Sequence, residues 1–175
     1  MDKITVRVPA TTANLGPGFD CLGMALELYN TVELEPAFKF EMVVTGEGQD
    51  SLSRREDNLV YEAIAMLHAK AQLSTPPMRI TCHNSIPLGS GLGSSSAAIV
   101  GGLVAANLLL GERFPQTELL QEATIMEGHP DNVVPAILGG CQAVVQDGKR
   151  LVTSSIPLPP QLRVALFIPD FQMPT

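Results

Sequence analysis

Polar and apolar residues alternate over residues 3–8 (KITVRV), 38–45 (FKFEMVVT) and 78–83 (MRITCH), the period-two pattern of half-buried strands. Residues 22–34 (LGMALELYNTVEL) read as a further strand, and 141–146 and 162–168 as strand-like segments. Pro9 ends the first strand in this reading, and Ala10 to Asp20, without a period and dense in turn formers, reads as a loop. The period changes at 59–72 (LVYEAIAMLHAKAQ), which predicts a helix capped by Asp57 or Asn58. Leu59, Ala63, Met66, Leu67 and Lys70 would lie near one face, and His68 would lie on its surface. A second helix is predicted over 97–110 (AAIVGGLVAANLLL), with the serines before it in cap positions. Gly111 stops that helix, Pro115 stands near the start of a third over 116–127, and SIPLPPQ at 155–161 reads as a connector.

The strand at 78–83 delivers the chain into Pro87-Leu88-Gly89-Ser90-Gly91-Leu92-Gly93-Ser94-Ser95-Ser96-Ala97-Ala98, a glycine loop feeding a helix N-terminus. A helix start offers unpaired N–H groups and the positive end of the macrodipole, and glycines let the main chain approach a ligand closely. That construction suits a polyphosphate. The loop lacks the lysine of a Walker sequence, and its G-x-G-x-G spacing is not the G-x-G-x-x-G of a dinucleotide fold. With no lysine present, a metal ion must carry more of the phosphate charge, and a serine hydroxyl is a natural ligand for it.

Composition narrows the partners. The 175 residues are 45% hydrophobic with a formal charge of −7, enough for one good core or for one large and one fragmentary domain. The eleven Lys and Arg residues are scattered, which argues against nucleic acid. Cys21, Cys82 and Cys141 are odd in number and lack C-x-x-C spacing, so reduced thiols are expected and neither a disulfide framework nor a zinc site. The apolar run 97–110 is too short and too rich in glycine to span a bilayer, and the expected location is cytoplasmic.

Two further stretches carry chemistry. In the first, Asn14 supplies an amide and Asp20 a carboxylate able to hold an ammonium group. In the second, Glu127-Gly128-His129-Pro130-Asp131-Asn132 gathers two carboxylates, an imidazole and an amide within six residues. Alone it would read as a solvated turn with a helix cap at Asp131 or Asn132. Beside a phosphate loop it reads as a magnesium ligand with substrate-facing polar groups.

Three blocks, PATTANLGPGFD at 9–20, PLGSGLGSSSAA at 87–98 and EGHPDNVVPAILGG at 127–140, resemble the GHMP small-molecule kinases, and within them the homoserine kinase family. The resemblance implies an α+β fold of the ribosomal-protein-S5 domain-2 type, with a left-handed βαβ unit. It implies residues 1–155 as the N-terminal ATP-binding domain and 156–175 as the start of a ferredoxin-like C-terminal domain largely absent from this sequence. The activity implied is ATP-dependent phosphorylation of L-homoserine to O-phospho-L-homoserine, for threonine synthesis, with Mg2+. By analogy, residues 87–97 wrap the phosphates, Asn58 lies near the adenine, and Ser95 and Glu127 ligate magnesium, with Glu122 as a second candidate. Asn14, Asp20, His129, Asn132 and Thr175 match positions that hold homoserine, and Asp131 is a candidate base. The arginine expected to grip the substrate carboxylate lies beyond Thr175, so the chain alone is expected to have little kinase activity while its full-length parent is active. The competing readings are a non-catalytic nucleotide-binding domain, open to homodimer formation through an exposed apolar face, and a kinase for another alcohol such as mevalonate. Asp20 opposes the second, because such acceptors lack an ammonium group.

Overall fold

The computed structural model describes residues 3–16, 18–148 and 150–168. Its strands are β1 (Ile4–Ala13), β2 (Leu22–Pro36), β3 (Glu41–Gly46), β4 (Met78–Asn84), β5 (Cys141–Asp147) and β6 (Arg150–Ile156). Its helices are α1 (Leu59–Lys70), α2 (Ser94–Leu109), α3 (Gln116–Glu127) and α4 (Val133–Leu138). All six strands form one mixed sheet organised on β2. β1 lies antiparallel along one edge of β2; β4 pairs with the other edge near Leu34 and β5 near Gly23. β3 runs parallel to β4, joined through α1 as a βαβ unit, and β6 completes the β5 hairpin.

Alternation decides which face of the sheet is buried. Val6, Val8, Val32, Leu34, Ile80 and Cys82 point into the core, where the helices pack. Lys3, Glu33 and His83 stand on the opposite face, with Lys3 Nζ 3.0 Å from the Glu33 carboxylate. α2 is sandwiched between sheet and α1 because Gly101 and Gly102 leave room for both. A Cβ on Gly101 would stand 2.8 Å from Val32 Cγ2, and one on Gly102 would stand 2.5 Å from the Val60 carbonyl oxygen.

Several sequence expectations change here. Pro9 does not end the first strand, which runs on to Ala13 through a bulge where the register jumps from Pro9 opposite Tyr29 to Ala10 opposite Leu26. A proline is tolerated there because β1 is paired along one edge only and Pro9 adjoins the irregularity. The inner stripe of α1 is Val60, Ala63, Ile64, Leu67 and His68, while Leu59 and Lys70 face outward. His68 is therefore buried and not on the surface, its Nδ1–H donating 2.9 Å to the Ile64 carbonyl one turn back. α2 begins at Ser94 and its N-cap is Gly93, not a serine. β6 was not expected, and α4 was foreshadowed only by the alternative of a helix cap at Asp131 or Asn132; its N-cap is Asn132. Pro135 fits α4 because it falls in the first turn, where an N–H would have no intrahelical acceptor. Residues 162–168, expected as strand-like, form no strand, because no neighbour completes their ladder among the described residues. Among the described residues, no helix is long and apolar enough to cross a membrane.

Candidate active site

The glycine loop is built by backbone conformation. Gly89, Gly91 and Gly93 have φ of +61°, +70° and +66°, left-handed at every second residue, and the Ser90 hydroxyl donates 2.8 Å to the Pro87 carbonyl across the turn. The first backbone bond of α2 runs from Ala97 N–H to the Gly93 carbonyl, 2.9 Å. The amides of Ser94, Ser95 and Ser96 thus have no intrahelical acceptor, and among the described residues no side chain caps them. An anion fits such a helix start, since N–H groups and dipole act together.

This loop lines a cleft of about 410 Å³. Pro87 through Ser95 all border it, with apolar wall from Val44, Leu52, Val60 and Cys82 and polar wall from Asn58, Glu127, His129 and Asn132. Ser96 and Ala97, expected among the phosphate contacts, do not border it; both are fully buried against the core. Burial pushes the Cys82 thiol up to about 11.

Glu127 is the last residue of α3, and its Oε1 accepts a 2.6 Å hydrogen bond from Ser95 Oγ in the first turn of α2. A carboxylate at a helix C-terminus stands against the dipole, so helix stability does not explain it. Facing oxygens from a hydroxyl and a carboxylate suit a hard divalent cation. No group of three or more His, Cys, Asp or Glu gathers among the described residues. That fits an ion held mainly by a ligand's phosphates and water, with one or two protein oxygens. Glu122 is not part of this pair: its Oε1 takes Lys70 Nζ at 2.5 Å, bracing α3 against α1, and it does not border the cleft.

Beyond Gly128, φ +95°, the chain turns into His129-Pro130-Asp131-Asn132. Asp131 is only 1% exposed and does not border the cleft. Its Oδ1 accepts from His129 Nδ1–H at 2.7 Å and from the Asn132 amide at 3.0 Å. The carboxylate thus sits behind the imidazole and fixes it, and Nε2 has no hydrogen-bond partner among the described residues; Asp131, the candidate base, reaches the cleft only through His129. Asn132 borders the cleft, and its Oδ1 accepts 2.8 Å from the hydroxyl of Thr11, a residue that sequence reasoning missed.

Asn14 and Asp20 lie on the loop between β1 and β2, both with positive φ, and are joined by the Asp20 N–H donating to Asn14 Oδ1 at 3.1 Å. Neither borders the cleft. Asn58 does, but its amide is committed at both ends: Oδ1 caps α1 at Val60 N–H, 3.0 Å, and Nδ2 donates 2.7 Å to the Ser53 carbonyl. Asn30, also missed, is buried in the cleft wall and accepts from the Ser85 and Ile86 amides, at 2.8 and 3.0 Å, fixing the lead-in to the glycine loop. A polar residue interrupting an apolar strand is the signal that could have found it. Thr175 lies outside the described residues.

Residues 58–140 match the family model for the GHMP kinases N terminal domain. That match makes residues 58–140 a GHMP kinase N-terminal domain, and the mixed sheet with the glycine loop opening α2 gives the chain the fold of that domain. Its similarity is to homoserine kinases: those of Moorella thermoacetica and Carboxydothermus hydrogenoformans are 47% and 48% identical over 97% and 98% of this chain. The chain spans 57% of the length of each of these two relatives. The crystal structure of homoserine kinase from Cytophaga hutchinsonii superposes with a TM-score of 0.76 at 31% identity, covering 94% of this chain and 58% of that one.

Proposed function

We propose that this chain carries the nucleotide site of a homoserine kinase, which in its full-length form transfers the γ-phosphoryl group of ATP to the hydroxyl of L-homoserine. The observation that carries the reading is the meeting of the open α2 N-terminus with the Ser95–Glu127 pair in one cleft that His129 and Asn132 also border. The relatives' names supply the acceptor.

The loop amides and the free N–H groups of α2 hold the phosphates, and the apolar wall takes the base. Ser95 and Glu127 hold Mg2+, which supplies charge neutralisation on the phosphates when bound. Asn132 contacts the acceptor hydroxyl, His129 is oriented toward the acceptor by Asp131, and Asp20 with Asn14 holds the amino acid's ammonium group. Phosphoryl transfer depends mainly on alignment and charge stabilisation, so no strong base on the acceptor is required. The product, O-phospho-L-homoserine, belongs to threonine biosynthesis, a cytoplasmic pathway.

The test is Mg2+-dependent ADP release by the full-length protein with L-homoserine, mevalonate or galactose as separate acceptors. Turnover with homoserine is expected; turnover with another acceptor, or with none, overturns the assignment.

A further inference from the structure

The three sequence blocks that define the site converge on one buried side chain. Thr11 is fully buried just after the bulge in β1, where a change of register re-aims a strand's side chains. Its amide donates 3.0 Å to the Leu92 carbonyl of the glycine loop, and its hydroxyl donates 2.8 Å to Asn132 Oδ1. A Cβ on Gly93 would stand 2.1 Å from Thr11 Oγ1 and 3.2 Å from Asn132 Oδ1, so the loop glycine makes the space in which this bond forms.

We propose that Thr11 is a positioning residue for phosphoryl transfer: it holds the oxygen of the Asn132 amide, so that Nδ2 is the end presented to the acceptor hydroxyl. Asn132 Nδ2 has no hydrogen-bond partner among the described residues, while Oδ1 is fixed by Thr11. An amide with neither end held turns over freely, and its two ends make opposite demands on a hydroxyl: one donates, the other accepts. Thr11 also ties Asn132 to the phosphate loop through Leu92, so acceptor and phosphate contacts share one anchor. This inference rests on the kinase reading above.

The experiment compares Thr11→Val and Thr11→Ser in the full-length enzyme. Removing the hydroxyl while keeping the β-branched shape is expected to lower kcat/KM for homoserine about 10- to 100-fold, the scale of a small misplacement at a reacting group. KM for ATP is expected to change by no more than about twofold, and Thr11→Ser to stay within about threefold of the unsubstituted enzyme. In an Asn132→Ala background, Thr11→Val has no further effect, because the residue it acts through is gone. Full activity in Thr11→Val, or equal rises in KM for both substrates, overturns the proposal. Thr11→Ala serves as the second deletion should valine not be accommodated. An independent readout separates this inference from the choice of acceptor: the side-chain amide NMR signals of Asn132 are expected as one fixed pair in the unsubstituted protein and as a shifted or averaged pair in Thr11→Val. Unchanged signals overturn it. Absence of homoserine turnover in the unsubstituted enzyme overturns the functional reading instead.

Discussion

Ser95 Oγ and Glu127 Oε1 stand 2.6 Å apart, joining the first turn of α2 to the last turn of α3. The positive end of one helix dipole thereby meets a carboxylate that the negative end of another disfavours. The two dipole ends oppose each other at this carboxylate, so Glu127→Gln should lower activity while leaving stability nearly unchanged. Turnover in the full-length enzyme is expected to fall on the order of 100-fold or more, with a higher Mg2+ requirement. Chemical denaturation is expected to show a change of less than about 1 kcal/mol. Loss of stability together with activity would assign Glu127 a structural role instead.

Gly91 and Gly93 share a left-handed conformation but not a setting: open space faces Gly91, and Thr11 Oγ1 faces Gly93. Gly91→Ala carries only the backbone strain, about 1–2 kcal/mol. Gly93→Ala adds a clash with a buried hydroxyl, for a total of about 2–5 kcal/mol. Urea denaturation of the two variants checks the difference, and equal losses would refute the packing described at Thr11.

Lys70 lies 2.5 Å from Glu122 and 3.2 Å from Glu118, and hydrogen bonding to Glu122 raises its pKa above the ordinary 10.5. A raised lysine pKa stabilises the fold fully below the unfolded-state value and ceases to do so as pH climbs through the folded value. Lys70→Met should cost about 0.5–1 kcal/mol at pH 7, a modest amount because the pair is partly solvated. The difference from the unsubstituted protein is expected to hold up to about pH 10 and to shrink above it. Thermal melts across that range measure it; a difference that grows with pH would contradict the assignment.

Cys21 is exposed, Cys82 and Cys141 are buried, and burial holds Cys82 near 11 although it borders the cleft. A thiol reagent at pH 8 should titrate one cysteine rapidly in the native chain and all three in denaturant. Rapid native labelling of Cys82 would show that the cleft wall is more open than described.

The glycine loop was legible because its chemistry is local: alternate glycines demand left-handed backbone, and the apolar run after them demands a helix. Glu127, His129 and Asn132 were legible as a cluster, since they lie within six residues. What the sequence did not disclose depends on contacts between distant segments. The Thr11 bond to Asn132 spans 121 positions, and nothing near Thr11 announces it. His68 was misplaced because the inner stripe of α1 is set one residue later, by the way α2 packs against it. Asp131 looked like an available carboxylate until the fold buried it behind His129. β6 was missed because RLVTSSI is weakly patterned and exists as a strand through its pairing with β5.

The most direct test of the account is calorimetric titration of a non-hydrolysable ATP analogue into this chain, with Mg2+ or with a chelator, and into its Glu127→Gln variant. One site is expected for the unsubstituted chain with Mg2+, weakened at least about tenfold both by chelation and by Glu127→Gln. Affinity unchanged by either would place the nucleotide somewhere other than the Ser95–Glu127 end of the cleft.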